Sequence, residues 1–310
     1  MARPSAPATA RVRQPAVAGV FYPADEFQCR KLAGEYVRGR DAQSSAARAA
    51  ATGVRDACGA IVPHAGWVCS GAIAGEAIAA LAKQAPSPDV VVVFGAVHTP
   101  LQIDVAALAS HERWHEPAGD SEVAQDVSRR LSDAGGLFAI DDRFHEGEHA
   151  VEVELPLVQV AWPDARVLPI EVPLSDDAEA IGVRVAREIE ASGLSAVFLA
   201  SSDLTHYGPA YRFAPAGVGP GGLAWAKEND RRLLGLVTDM AIERIVPDVR
   251  AHASACGGGA ITAMLAACRE RGGATRGQVL RHASSFETLA GYGPQEPDNA
   301  VGYAAVIVGR

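Results

Sequence analysis

Apolar residues along this chain gather into short unbroken runs, separated by longer segments with helical spacing. DVVVVFGAV (89–97) is the clearest run, apolar and largely β-branched, and it predicts a strand buried on both faces. CGAIVP (58–63), RVLPIEV (166–172), SAVFLA (195–200) and AVGYAAVIVG (300–309) predict further strands. Residues 25–38 place Phe27, Leu32 and Tyr36 at helical spacing. Segments 70–83, 120–134, 176–191, 222–240 and 258–271 also read as helices, with Ser70 capping the first of these and Asp120 or Ser121 the second. Gly19–Pro23 is a turn-rich entry, and 41–56, rich in Ala, Ser and Arg, reads as a loose connection.

Strands alternating with helices predict an α/β sheet covered on both faces, whose ligand sites lie beyond the carboxyl ends of the strands. Three predicted strands run into a histidine: 58–63 into His64, 89–97 into His98 and 195–200 into His206. If these strands are parallel neighbours, the three imidazoles converge on one rim. No repeat and no linker follows residue 57, so a single domain over 13–310 is expected, with 1–12 a disordered lead-in.

Composition narrows the function. In 310 residues the formal charge is −9 and Lys and Arg are not clustered, which argues against a nucleic-acid surface. No run approaches the roughly 20 apolar residues of a membrane span. The start, MARPSAPATARVRQP, lacks the apolar core of a secretory signal. Five scattered cysteines make no disulfide framework, and a reducing cytoplasm is the expectation.

FLASSDLTHYG (198–208) brings Ser, Asp and His together, yet no G-x-S-x-G nucleophile elbow occurs anywhere. His206 with Asp203 reads instead as an acid/base with an orienting carboxylate, while Ser201 and Ser202 shape the turn. Neutral imidazoles are common metal ligands, and two of them plus one anionic ligand leave positions open on iron. Cys256, followed by three glycines at a helix start, is the candidate thiolate ligand; the alternative is a small residue packed in a turn. Cys29, Cys58, Cys69 and Cys268 read as core residues. HEGEHAVEVELP (145–156) contains H-x-x-E-H, but Gly147 weakens the helix a zinc protease needs. His149 stays as a second acid/base, His145 reads as a solvated loop residue, and some of the four glutamates must face water or pair with Arg. His111, His115, His252 and His282 default to surface or structural roles. GVGPGG (217–222) follows no strand and fails as a dinucleotide fingerprint.

RQPAVAGVFYP, IVPHAGWVCSG, VVVFGAVHTP, EHAVEVELP, SSDLTHYG and SACGGGAI occur in that order across nearly the whole chain. Together they resemble the Memo family and, through it, the class III extradiol dioxygenases of LigB-like fold. The resemblance implies a three-layer α/β/α domain with a mixed central sheet. In those dioxygenases two His and a Glu hold non-haem Fe(II). By this resemblance His64 and His98 match the two His ligands, and Cys256 matches the Cys that Memo-like proteins have in third place. His206, Asp203 and His149 match acid/base and pocket positions, and Phe21 and Trp67 match aromatic positions near the pocket. A thiolate in place of a carboxylate is softer and oxidisable, which suits copper as well as iron and departs from the ligand set of the ring-cleaving dioxygenases. The resemblance also implies a small-molecule substrate or, as in eukaryotic members, a phosphotyrosine peptide. Radical-SAM companions of the prokaryotic AmmeMemoRadiSam system are further implied partners.

Three readings follow. The first is a cytoplasmic metal-dependent oxidoreductase, with Fe(II) or Cu on His64, His98 and Cys256. The second is a metal-free thiol enzyme with Cys256 as nucleophile and His206 as base. The third is a peptide- or protein-binding module that keeps the enzyme fold.

Overall fold

The computed structural model of the protein describes residues 10–51 and 53–310, apart from the side chains of 45 and 48–51. The expected lead-in falls outside the described residues over 1–9, and its last residue, Val12, already forms β1 (Val12–Arg13). There follow α1 (Glu26–Arg38), α2 (Arg40–Ala51), β2 (Gly59–Val62), α3 (Trp67–Gln84), β3 (Val90–Ala96), β4 (Ala106–Leu108), β5 (Arg113–Glu116), β6 (Gly119–Glu122), α4 (Gln125–Asp133) and β7 (Phe138–Ile140). The second half runs α5 (Leu155–Ala161), β8 (Arg166–Val172), α6 (Ala178–Ala191), β9 (Ala196–Ser201), β10 (His206–Tyr207), α7 (Pro220–Thr238), α8 (Ile242–His252), α9 (Gly258–Gly272), β11 (Arg276–Ser284), α10 (Ser285–Thr288) and β12 (Ala300–Gly309).

The large sheet has the order β10-β12-β2-β9-β3-β8-β4-β7, with β11 also on β12. Its centre, β2-β9-β3-β8, is parallel. β12 and β4 run antiparallel to β2 and β8, so the sheet is mixed. Along β3 the side chains divide with period two. Val90, Val92 and Phe94 enter one core with α4, α6, α7, α8 and α9. Val91 and Val93 enter another with α1, α2, α3 and α5. The result is a three-layer α/β/α architecture. β1, β5 and β6 form a separate small sheet.

Several local expectations are corrected. α1 is capped by Asp25, which accepts from the Gln28 amide at 2.9 Å, but it buries Cys29, Ala33 and Val37 and leaves Phe27 73% exposed. Small side chains on the inner face suit close packing of α1 against α3 and α5. Residues 41–56 are helical as far as Ala51, with Ala42 and Ala46 buried one turn apart, as the high helix propensity of Ala favours. α3 begins at Trp67 behind Gly66; Ser70 lies within it and donates to the Ala65 carbonyl at 2.8 Å rather than capping. Residues 119–122 pair as a strand, with Ser121 opposite the buried Trp114, so the helix starts only at Gln125.

His145 is also corrected: it is fully buried rather than solvated. Its Nδ1 lies 3.8 Å from Glu171 Oε1. Burial lowers His145 to about 4, so its ring is neutral near pH 7, and raises the Glu171 carboxyl well above its usual value. Arg13 anchors this region by donating to the carbonyls of His145 and Glu148 and pairing with buried Glu152.

Candidate metal centre

β2, β9 and β3 are parallel neighbours, so their carboxyl ends deliver His64, the SSDLTH segment and His98 to one rim. His64, His98, His149, Asp203 and His206 line one cavity of ≈ 380 Å³ there, together with Phe21, Cys69, Tyr211, Ser285, Leu289, Val301 and Tyr303. His64, His98 and His149 each offer a ligand atom within 4.8 Å of the other two. The ring centroids of His98 and His149 stack at 4.6 Å, and His64 sits edge-on to both, at 5.0 and 5.2 Å.

Hydrogen bonds fix which nitrogen is offered. Ser201 Oγ donates to the Ala150 carbonyl at 2.6 Å and so must accept from His64 Nδ1 at 2.9 Å. That leaves His64 Nε2 without its proton and facing Cys256 Sγ at 3.2 Å. His64 is 1% exposed; burial, and then repulsion from His98 and His149, lowers its pKa well below the ordinary value.

Glu148 organises the other two rings. Its Oε1 accepts from His98 Nδ1 at 2.9 Å and lies 3.2 Å from His149 Nδ1. Its oxygens also accept the backbone amides of His98, His149 and Ala150 at 2.6, 2.8 and 3.2 Å. Burial opposes the charge on Glu148, but these donors outweigh it and depress its pKa strongly. Burial likewise opposes charge on His98, and contacts with Cys256 and Glu148 override it to push His98 up to about 10. An ion on His98 must therefore displace a proton. Carboxylates behind ligating histidines set tautomer and orientation in metal sites generally.

Cys256, just before α9, contacts His64 and His98 but is not among the residues lining the cavity. The three-histidine set holds His149, expected as an acid/base, alongside the two expected ligands. His206 Nδ1 donates to the Leu204 carbonyl at 3.1 Å and its ring meets Tyr211 edge-on; burial lowers its pKa, so the ring is neutral with Nε2 free. Asp203 does not steer His206, as the sequence suggested. It turns toward the end of β2, where Oδ1 accepts the His64 and Ala65 amides at 2.9 and 3.3 Å. Burial raises Asp203 to about 7 against the pull of those two amides.

Phe21 reaches the cavity and meets His149 edge-on at 4.9 Å. Trp67 does not line it. Its ring packs against Tyr22 and Tyr36 and its Nε1 donates to the Val153 carbonyl at 3.1 Å. Cys69, read as a core residue, lines the cavity. Sequence reasoning missed Glu148. The signal was present as a glutamate flanked by histidine in a stretch too acidic to be buried without donors.

A mixed α/β sheet with a histidine cluster at the carboxyl ends of its parallel strands defines an α/β protein with a candidate metal centre. The chain belongs to the Memo family, whose description is "Memo-like protein" and whose profile matches residues 13–307. A MEMO1 family protein of Methanococcoides burtonii is 35% identical over 301 residues, covering 96% of this chain and all of that one. MEMO1 family protein Mbar_A1422 of Methanosarcina barkeri is 33% identical over 301 residues, with the same coverage. Among solved structures, uncharacterized protein JW3007 from Escherichia coli K12 aligns over 96% of this chain and 100% of that chain at 10% identity, with a TM-score of 0.39. No helix among the described residues is long and apolar enough to cross a membrane.

Proposed function

We propose that the protein is a metal-dependent oxidoreductase whose ion, Fe(II) or alternatively copper, is held by His64, His98 and Cys256. The observation that supports this reading is the convergence of the His64 and His98 nitrogens within 4.8 Å, oriented by Ser201 and Glu148, with Cys256 Sγ 3.2 Å from His64 Nε2. Two imidazoles and a thiolate suit iron or copper better than a hard cation such as magnesium. When bound, the ion supplies redox chemistry and open positions for oxygen and a small chelating substrate.

The chain's own residues do the rest. His206 is neutral and accepts a proton at Nε2, with Tyr211 against its ring. Asp203, raised to about 7, exchanges a proton near neutral pH while it holds the His64 backbone. Phe21, Leu289 and Val301 form an apolar wall that limits water in the cavity.

The test is metal content after anaerobic purification and reconstitution. Wild-type protein is expected to retain iron or copper, and a His64→Ala, His98→Ala, Cys256→Ser triple variant to lose it. Unchanged metal in the folded triple variant would overturn the proposal. His149→Ala is expected to keep the ion; if it loses the ion while Cys256→Ser keeps it, His149 is the third ligand instead.

A further inference from the structure

Away from the cavity, Cys58 and Cys268 bring their thiols together although 210 positions separate them in sequence. Cys58 lies just before β2 and is half-buried, and Cys268 is fully buried near the end of α9. Cys58 Sγ is 3.8 Å from the Cys268 carbonyl oxygen and 3.9 Å from that of Val308, and Cys268 Sγ lies 3.6 Å from Met264 Sδ on the same helix. Two glycines make room for this contact. A Cβ at Gly59 would stand 2.3 Å from Cys268 Sγ, and one at Gly272 would stand 2.8 Å from Cys58 Sγ. Each sulfur thus occupies the space left by a glycine on the element that carries the other.

We infer that Cys58 and Cys268 form a reversible disulfide site oxidised by hydroperoxide. Cys58 Sγ attacks the peroxide O–O bond, becoming a sulfenic acid and releasing water or an alcohol. Cys268 Sγ then displaces hydroxide from the Cys58 sulfur, and the Cys268 proton leaves with it as water. The two thiols give up two electrons and two protons, and the peroxide takes both.

The environments suit this order. The neighbouring Cys268 side chain lowers the Cys58 thiol against the effect of burial, whereas burial holds Cys268 well above its ordinary value. Cys58 is also the more exposed of the two, so it meets the oxidant first. The bond would join the far ends of β2 and α9, whose near ends lead to His64 and Cys256. It is independent of whether a metal binds there.

The test treats the full chain with hydrogen peroxide, alkylates remaining thiols without reduction, and maps the peptides by mass. The expected product is a linked pair of peptides carrying Cys58 and Cys268, lighter by two hydrogens and separated by dithiothreitol. Closing so long a loop is expected to raise the Tm by about 5–10 °C, reversed on reduction. Gly272→Ala, which drives a methyl toward Cys58 Sγ, is expected to slow the cross-link at least about tenfold. Recovery of both thiols alkylated, under peroxide that oxidises other cysteines of the same protein, would overturn the proposal. So would a cross-link from Cys268 to any other cysteine.

Discussion

Replacing Glu148 by Gln keeps the shape of the side chain and removes its charge. Glu148 receives three backbone amides and lies against the Nδ1 atoms of both His98 and His149. A glutamine has one acceptor oxygen and one NH₂ group. If its oxygen takes the Oε1 place, its NH₂ faces the His98 amide, which now stands 2.6 Å from Oε2. If the amide flips, the NH₂ faces His98 Nδ1 and the His149 amide instead. Either way at least one buried donor is left facing another, at a cost of about 1–3 kcal/mol in stability. Loss of a partner behind a ligating histidine typically weakens metal binding by about 10–100-fold, equivalent to about 1.4–2.7 kcal/mol. The assay is an anaerobic Fe(II) competition titration, with thermal unfolding as the folding control. A folded Glu148→Gln protein that binds Fe(II) within about threefold of wild type would refute the argument that Glu148 sets the His98 ring.

Two further perturbations address the carboxylates nearby. In metal-free protein the Asp203 pKa rises from 3.8 to about 7 on folding, so the folded state binds more protons than the unfolded state between those values. This contribution to stability is fully present below the unfolded pKa and is lost as pH rises through 7, up to about 4 kcal/mol. Asp203→Asn is expected to flatten the decline of stability between pH 4 and 7 in urea titrations; an unchanged slope would count against the assignment. Glu152 is fully buried and accepts from Arg13, the Ala16 and Val17 amides at 2.8 and 3.0 Å, and the Tyr22 hydroxyl at 2.8 Å. Glu152→Ala strands the buried Arg13 guanidinium and should cost about 3–5 kcal/mol. A loss below about 1 kcal/mol by urea unfolding would show that Arg13 finds other partners.

The limits of sequence reading are visible in individual residues. β3 was legible because seven consecutive apolar residues have only one economical fate, a strand buried on both faces. His64 and His98 were legible because each directly follows such a strand, and parallel pairing of β2, β9 and β3 turns that common position into proximity. Asp203 and His206 are three apart in sequence, which suggested a pair, but the chain turns between them. The carboxylate then meets the amides after β2, and the imidazole meets its own Leu204 carbonyl. His145 is misplaced for a related reason. Polar neighbours suggest solvent, whereas burial depends on what packs from distant segments.

By itself the sequence determined the strands β2, β3, β8, β9 and β12, the two-faced sheet and the histidines at its carboxyl rim, because hydrophobic periodicity and strand ends are local properties. Only the tertiary structure decided that Glu148 orients two rings, that Ser201 leaves His64 Nε2 unprotonated, and that Cys58 meets Cys268 across 210 positions. Hydrogen-bond direction and close contact depend on side chains from separate elements arriving at one point, and no local pattern in the chain encodes that.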